Sequence, residues 1–271
     1  MVDEDIKLLL ENWRQYIKES EEETAYFGKW VDRIPEMYKE WLTSLSASAE
    51  GLWEKHGFNK IGEGSFRTVL APKEDNNFVV KISRTKMYSN MNKGEFELQK
   101  RYETLFPRVY FHSPDFRWIV VEAVSPVGLE DIGEWTLWQT AKKEMPNLFE
   151  IYIGGVKEWR EKYKIKDDDD MYPVDQIGLG FWGFVLNSLR TVMGEDTFGE
   201  VDSSKEDIKS YFRSSPDPYF YELAQAVSSN NIALWDLTPQ NMGVDSNENL
   251  VILDASIEDH INDAEDYLGL T

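Results

Sequence analysis

Apolar residues recur at two different spacings along the chain, and the change in spacing separates a helical segment from a strand-rich one. In residues 1–55 the apolar spacing is helical, as shown by Ile6, Leu9, Leu10, Trp13 and Ile17. Ser20 and Glu23 have the spacing of a capping box that opens a second helix. Pro35 suits the first turn of a third helix. We therefore predict a helical extension over residues 1–55 that packs on the segment after it.

Short apolar runs bounded by turn residues follow in residues 56–124. FVVKIS (78–83), RVYFHS (108–113) and RWIVVEAV (117–124) have the length and composition of strands. Residues 92–106, NKGEFELQKRYETLF, instead place their apolar residues at helical spacing. The segment is therefore predicted to combine several strands with one helix.

The last part of the chain, residues 125–271, is predominantly helical in pattern. Helical spacing is found over residues 148–163, 177–193 and 219–227. Beyond them we predict a buried strand at 232–234, a polar loop, and two short strands joined by a turn at 245–249.

Charge and composition narrow the classes of partner. The 271 residues include 50 acids and 29 bases, for a formal charge of −21. This field disfavours nucleic acid and anionic membrane surfaces and favours cationic partners, although solubility alone is the simpler explanation. The chain has no cysteine, which excludes disulfides, thiolate catalysis and cysteine-ligated zinc.

Nothing in the sequence indicates export or membrane insertion. The amino terminus, MVDEDIK, is acidic where a signal peptide is basic. No apolar run reaches the length that spans a bilayer. We therefore expect a cytoplasmic location.

Three polar residues interrupt the apolar segment near the end of the chain. Asp236 precedes Asn241 by 5 residues, and Asn241 precedes Asp254 by 13. Such side chains are costly beside buried strands unless something pairs with them. A divalent cation carrying a phosphate would supply that pairing, whereas a simpler interpretation treats the three residues as turn formers.

A second motif lies far earlier in the chain. Gly62 and Gly64 lie between strand-like residues, Val69 follows them, and Lys81 comes 12 residues after Val69 in an apolar strand. Glycines allow backbone amides to approach a phosphate closely, because no Cβ intervenes. Taken alone, two such glycines are more often an ordinary hairpin turn.

Together and in this order, the two motifs resemble the protein-kinase-like superfamily. LWDLTPQN (234–241) is similar to H-R-D-L-x-x-x-N, and Asp254-Ala255-Ser256 is similar to D-F-G. The chain departs from these patterns at Leu234, Trp235, Ala255 and Ser256, and Arg67 stands at the third glycine of G-x-G-x-x-G. GSFRTVL (64–70) and the brief tail resemble compact kinase-like proteins of bacteria and their phages.

The resemblance implies a two-lobed α+β fold, with an N-terminal lobe over residues 56–124 and a shortened, helical C-terminal lobe over residues 125–271. It implies binding of ATP and magnesium, with the functional residues divided among five tasks. Phosphates would be held at Gly62, Gly64 and Lys81, and Val69 would be a further cofactor-binding residue. Glu95, or alternatively Glu97, would orient the lysine.

The remaining roles implied by the resemblance fall on the strand after residue 117 and on the late motif. The backbone of Glu122 to Val124 would meet the adenine. Asp236 would position the acceptor hydroxyl, while Asn241 and Asp254 would bind magnesium.

Three functions fit these motifs. A protein serine/threonine kinase acting on a host or cytoplasmic protein is the function that the sequence favours. Only 15 residues follow Ser256, which leaves no room for the usual activation segment and instead suits a small-molecule phosphotransferase of the aminoglycoside or choline type. The substitutions around the motifs and the charge of −21 suit a pseudokinase or an acidic decoy that binds a basic partner.

Overall fold

The computed structural model describes residues 27, 30, 33–43, 50–64, 66–83, 85, 88–127, 131–163, 174–194, 204–214 and 216–255. The chain divides into two compact units. Unit 1 comprises Met1–Gly94 with Arg108–Ala123, and unit 2 comprises Glu95–Pro107 with Val124–Thr271. The apolar stripe from Ile6 to Ile17 and the triplet residue Ser256 lie outside the described residues.

Unit 1 is built on a five-stranded antiparallel sheet in the order β1-β2-β3-β5-β4. Its helices and strands are α1 (Arg33–Thr43), α2 (Glu50–Lys55), β1 (Phe58–Glu63), β2 (Arg67–Pro72), β3 (Phe78–Ser83), the first part of α3 (Ser89–Arg101), β4 (Val109–His112) and β5 (Trp118–Glu122). The helix between β3 and β4 is the one that the sequence predicts at 92–106, although it begins earlier, at Ser89.

Strand alternation gives the sheet two different faces. In β3, Phe78, Val80 and Ile82 are fully buried and belong to one aromatic-rich core. The same core contains Trp30 and, on α1, Ile34 and Met37. Because side chains alternate along a strand, Lys81 lies on the opposite face from this layer. The described part of the extension thus packs on one face of the sheet, as the sequence predicts.

Unit 2 is largely helical. After the second part of α3, its elements are β6 (Ser125–Pro126), α4 (Asp131–Glu144), α5 (Pro146–Tyr163), α6 (Val174–Met193), α7 (Ser204–Ser214), α8 (Pro218–Asn230), β7 (Met242–Val244) and β8 (Leu250–Ile252). The three short strands form one antiparallel sheet in the order β6-β7-β8. Three of these helices match the predicted spans, whereas α4 and α7 were not predicted. Both are polar, and in α7 only Ile208 and Tyr211 supply buried apolar side chains.

The predicted strand at 232–234 is wrong. Ile232 makes only an isolated bridge, and Leu234–Asp236 is a single turn of 3-10 helix. Ile232 and Ala233 are buried, so this segment is apolar because it lies in the core and not because it forms a strand. A run of three residues has no periodicity that could distinguish the two.

The predicted hairpin after this loop is confirmed. β7 pairs with β8, and the Asp245 carboxylate accepts the N–H groups of Asn247 and Asn249, both at 2.8 Å. Within the described part of the chain, no helix is both long enough and apolar enough to cross a membrane. The α+β prediction is also confirmed, since unit 1 has the strand-strand-strand-helix-strand-strand order that the kinase-like resemblance implies.

Candidate functional site

In unit 1, three of the predicted residues lie in one row across the sheet. Gly62 of β1 is opposite Val69 of β2, and Val69 is in turn opposite Lys81 of β3. Directly opposed residues of antiparallel strands point to the same face, so this row lies on the face away from the aromatic layer. The structure thus brings together the glycine and lysine motifs that the sequence separates by 19 residues.

Neither predicted glycine is required by the backbone. A Cβ at Gly62 would lie 3.5 Å from the Val69 Cβ, an ordinary contact, and a Cβ at Gly64 would come no closer than 3.9 Å to the Arg67 carbonyl. Neither residue has a positive φ angle. Since the fold does not need glycine at these positions, the bare backbone is available to approach a ligand.

Two charged residues of the predicted set are buried. Lys81 is 8% exposed and belongs to unit 1, and Glu95 is 6% exposed and belongs to unit 2. Glu97, the alternative to Glu95, is exposed. Buried charges require compensation, so the buried Glu95 is a better candidate than the exposed Glu97 for pairing with a lysine.

The predicted adenine-facing backbone follows β5, where the sheet of unit 1 ends. The Glu122 N–H donates to the Arg108 carbonyl at 2.8 Å, and the Ala123 N–H donates to the Asn77 carbonyl at 2.9 Å. Among the described residues, no backbone carbonyl accepts the Val124 N–H. An adenine edge would therefore find its backbone donor at Val124, since the other two are engaged within the sheet.

In unit 2, Asp236 and Asn241 are joined directly. The Asn241 side-chain Nδ2 donates to the Asp236 carboxylate Oδ1 at 2.8 Å and to the Asp236 carbonyl at 2.7 Å. Both donations come from the amide nitrogen, so the Asn241 Oδ1 is directed elsewhere and can act as an oxygen ligand. The carboxylate of Asp236 is half-buried on this loop.

A tryptophan of α6 holds the loop that carries Asp236 in place. Leu237 is fully buried, and its carbonyl accepts the indole N–H of Trp182, from α6, at 2.8 Å. The neighbouring Trp235 is 61% exposed. Sequence reasoning did not identify Trp182, because nothing in the sequence links a residue in α6 to a loop 55 residues later.

Asp254 comes two residues after the end of β8. The Leu253 N–H donates to the Asn241 carbonyl at 2.7 Å, which ties the residue before Asp254 to the Asp236 loop. Asp254 is half-buried. Among the described residues no group of three or more acids or histidines could hold a metal by itself. The donors present, an amide oxygen and a carboxylate, fit magnesium, which takes few protein ligands and shares phosphate oxygens and water.

The predicted site residues are divided between the two units. Unit 1 holds Gly62, Gly64, Val69, Lys81 and Glu122. Unit 2 holds Glu95, Val124, Asp236, Asn241 and Asp254.

No protein-family model matches the chain, and no curated protein matches it. An aminoglycoside 2'-phosphotransferase solved with GDP is 14% identical over 76% of this chain and 69% of its own, with a TM-score of 0.31. An ADP-bound aminoglycoside phosphotransferase is 14% identical over 83% of this chain and 73% of its own, with a TM-score of 0.32. An aminoglycoside phosphotransferase from Alicyclobacillus acidocaldarius is 14% identical over 83% of this chain and 71% of its own, with a TM-score of 0.26. These proteins belong to the protein-kinase-like superfamily.

Proposed function

We propose that the protein transfers the γ-phosphoryl group of Mg·ATP to a hydroxyl group of a small molecule. The observation that carries the proposal is the pair in unit 2, where the Asn241 amide fixes the Asp236 carboxylate at 2.8 Å on a loop anchored by Trp182. A carboxylate held in this way, yet left half-exposed, is suited to accept a hydrogen bond from an acceptor hydroxyl.

In this proposal the nucleotide is bound by the glycine and lysine motif, assisted by Val69, Glu95 and the backbone of residues 122–124. Gly62 and Gly64 let phosphate oxygens approach the hairpin backbone closely because no Cβ intervenes, and the Lys81 ammonium neutralises the phosphate charge. Val69 contacts the base from the sheet, and the backbone from Glu122 to Val124 holds its edge. Glu95 orients Lys81 in this proposal. Catalysis comes from alignment and charge neutralisation, because phosphoryl transfer requires little covalent participation from the protein.

The metal side of the proposal rests on Asn241 and Asp254. The Asn241 Oδ1 and the Asp254 carboxylate would hold Mg²⁺ together with phosphate oxygens and water. Bound magnesium neutralises charge that develops on the transferred group. The Asp236 carboxylate accepts a hydrogen bond from the acceptor hydroxyl. It takes up that proton as the hydroxyl oxygen bonds to the γ-phosphorus and the bond to ADP breaks.

Trp235 is the reason that we now prefer a small-molecule acceptor to the protein acceptor favoured by sequence alone. Its indole is 61% exposed and directly precedes Asp236. A flat, electron-rich ring of this kind suits stacking on one ring-shaped molecule or contact with one cationic group. The net charge of −21 also favours a cationic acceptor, since it attracts positively charged molecules.

The experiment that tests the proposal measures binding and transfer separately. Thermal melts with millimolar Mg·ATP should shift upward, because a ligand that binds only the folded state stabilises it. Lys81→Met should abolish the shift, whereas Lys60→Met should keep it. Lys60 is the matched control because it lies in the same sheet but is exposed and pairs with Glu63 at 2.9 Å.

Transfer is then measured with γ-labelled ATP against ring-shaped alcohols with and without amino groups, and in parallel against lysate proteins. Label on a small molecule supports the proposal. Label on proteins alone would replace the small-molecule acceptor with a protein acceptor. Absence of any melt shift, hydrolysis or transfer would leave a pseudokinase or a decoy as the function.

A further inference from the structure

The glycine hairpin of unit 1 ends in a buried arginine. The Gly64 N–H donates to the Arg67 carbonyl at 2.9 Å and closes the tip of the β1–β2 hairpin. Arg67 follows at the start of β2 and is only 5% exposed. It stands where the kinase-like pattern has its third glycine, and a glycine there would have no side chain with which to make contacts.

One partner of Arg67 is Asn92, a completely buried asparagine on α3. The Arg67 Nη1 donates to the Asn92 Oδ1 at 3.3 Å. The Asn92 Nδ2 donates to the Ser83 Oγ at 2.9 Å and to the Phe116 carbonyl at 2.7 Å. Both ends of the amide are therefore engaged, which fixes its orientation and makes Asn92 a rigid acceptor for the guanidinium.

A second contact joins the hairpin tip to the same region. The Phe66 ring lies against the Tyr88 ring, with centroids 4.9 Å apart. The Tyr88 carbonyl accepts the Ser83 Oγ at 3.0 Å and the Met91 N–H at 3.1 Å, so Tyr88 belongs to the beginning of α3. Two consecutive residues of the hairpin, Phe66 and Arg67, thus hold its tip to the first turn of one helix.

We infer that Arg67 is a positioning residue, which fastens the glycine hairpin to α3 through Asn92 and holds it in one geometry before nucleotide arrives. A hairpin that is already ordered does not lose conformational entropy when phosphate binds, so nucleotide binds more tightly. The same helix carries Glu95 three residues after Asn92, so the hairpin and the proposed lysine-orienting residue are attached to one element. This role in nucleotide affinity rests on the proposed function, whereas the tie itself is a property of the nucleotide-free protein.

The tie is tested first without nucleotide, by hydrogen exchange of the amides in residues 62–68. Arg67→Met keeps most of the buried volume but removes the donor, and it should speed exchange in the hairpin about tenfold. Ser113→Ala is the matched control: it removes a buried hydroxyl of the same unit that bonds Asp115 and the Trp118 N–H, so hairpin exchange should stay within about twofold of wild type. Arg67→Lys, which keeps the charge but shortens the reach, should give an intermediate increase.

A double-mutant cycle then distinguishes positioning from direct binding of phosphate by Arg67. If Arg67 acts through Asn92, Arg67→Met and Asn92→Ala should each weaken Mg·ATP binding by about five- to tenfold, and the double variant should be no worse than either one. Additive losses, or a loss with Arg67→Met but none with Asn92→Ala, would overturn the inference in favour of direct phosphate contact.

The exchange experiment also separates this inference from the proposed function. Unchanged hairpin exchange in both Arg67→Met and Arg67→Lys would overturn the inference even if the protein binds ATP. Faster exchange in a protein that binds no ATP would support the tie while removing the proposed function.

Discussion

Unit 2 contains two aspartates of the same chemistry in opposite surroundings. Asp217 is 2% exposed, and its carboxylate accepts from the Asn147 Nδ2 at 2.9 Å, the Leu148 N–H at 3.0 Å and the Tyr211 hydroxyl at 2.9 Å. Two of these donors lie at the beginning of α5, so Asp217 caps that helix from a distant part of the chain. The arrangement is complete without any ligand.

Asp236 shows the contrast. Asp236 ends the first of two 3-10 turns and Asn241 ends the second. The half-buried Asp236 carboxylate accepts the Asn241 Nδ2 at 2.8 Å. A carboxylate saturated by buried donors thus serves the fold, whereas the Asp236 carboxylate reaches the surface, where it can meet a ligand.

The largest expected effect is on activity, in Asp236→Asn. The amide cannot accept the acceptor proton, so turnover should fall by about 10²- to 10⁴-fold while ATP affinity and melting temperature stay near wild type. Single-turnover transfer and Mg·ATP titration would measure the two effects. Glu248→Gln, which neutralises an exposed acid of the same unit, should change neither. A large fall in melting temperature with Asp236→Asn would place Asp236 in the same structural class as Asp217.

Asp217→Ala should show the reverse pattern. The substitution leaves buried donors on α5 and the Tyr211 hydroxyl without their acceptor, which costs about 3 kcal/mol of folding free energy or more. At this chain length the melting temperature should drop by roughly 6–12 °C. Turnover per folded molecule, measured well below the melting transition, should remain within about twofold of wild type. A selective loss of turnover with unchanged melting would contradict the structural assignment.

Two glycines extend the comparison to the backbone. A Cβ at Gly243 would lie 2.9 Å from the Leu253 Cδ2 and 3.1 Å from the Ser125 carbonyl, whereas a Cβ at Gly62 meets only ordinary contacts. Gly243→Ala should therefore destabilise the fold by about 1–3 kcal/mol. Gly62→Ala should leave stability within about 0.5 kcal/mol and weaken Mg·ATP binding about tenfold. Denaturant titration and nucleotide titration of both variants would check this; equal ATP affinity in Gly62→Ala would count against phosphate contact at that position.

The smallest expected effect comes from Tyr219, which lies beside Asp217. Its hydroxyl is buried without a hydrogen-bond partner among the described residues. Tyr219→Phe should stabilise the fold by about 1 kcal/mol, because a desolvated hydroxyl is removed. Urea titration at neutral pH would measure the gain. A loss of stability would mean that the hydroxyl has a partner after all.

The same residue predicts a dependence on alkaline pH. Burial, together with Glu144 and Glu222, raises the pKa of Tyr219 above its ordinary value. Above about pH 10 the unfolded chain releases this proton while the folded protein keeps it, so folding stability falls as pH rises. Tyr219→Phe should lose less stability than wild type between pH 10 and 11, by about 1 kcal/mol over that interval. Parallel slopes for the two proteins would contradict the assignment.

The secondary structure of unit 1 was easier to predict from the sequence than that of unit 2. FVVKIS and RWIVVEAV are apolar runs with strand composition, and local sequence is enough to recognise them. α4 was missed because its apolar residues do not form a clear stripe. α7 has Ile208, Tyr211 and Phe212 at helical spacing, but this stripe is short and lies in an otherwise polar segment. The run at 232–234 was misassigned because burial and strand geometry look alike over three residues.

The candidate site shows a similar division. Asp236, Asn241 and Asp254 stand out in the sequence as polar residues in an apolar segment, and Lys81 stands out as a lysine in an apolar strand. Their roles are implied only by the resemblance to the protein-kinase-like superfamily and stay predictions. The Arg67–Asn92 bond could not be predicted, since its two residues are 25 positions apart and belong to different elements. The Trp182 anchor is hidden for the same reason, because it arises only from tertiary packing.

The aromatic layer on the sheet of unit 1 has a consequence for folding during synthesis on the ribosome. Phe27 contacts Phe78 at 5.2 Å and Phe111 at 4.9 Å between ring centroids, so its partners are synthesised long after it. At ribosomal rates the delay before Phe111 is made is on the order of ten seconds. During that interval Phe27 and Trp30 are exposed, apolar and adjacent in the nascent chain. We expect chaperone dependence during synthesis to decline sharply once β4 and β5 have emerged, because only then can the layer be buried.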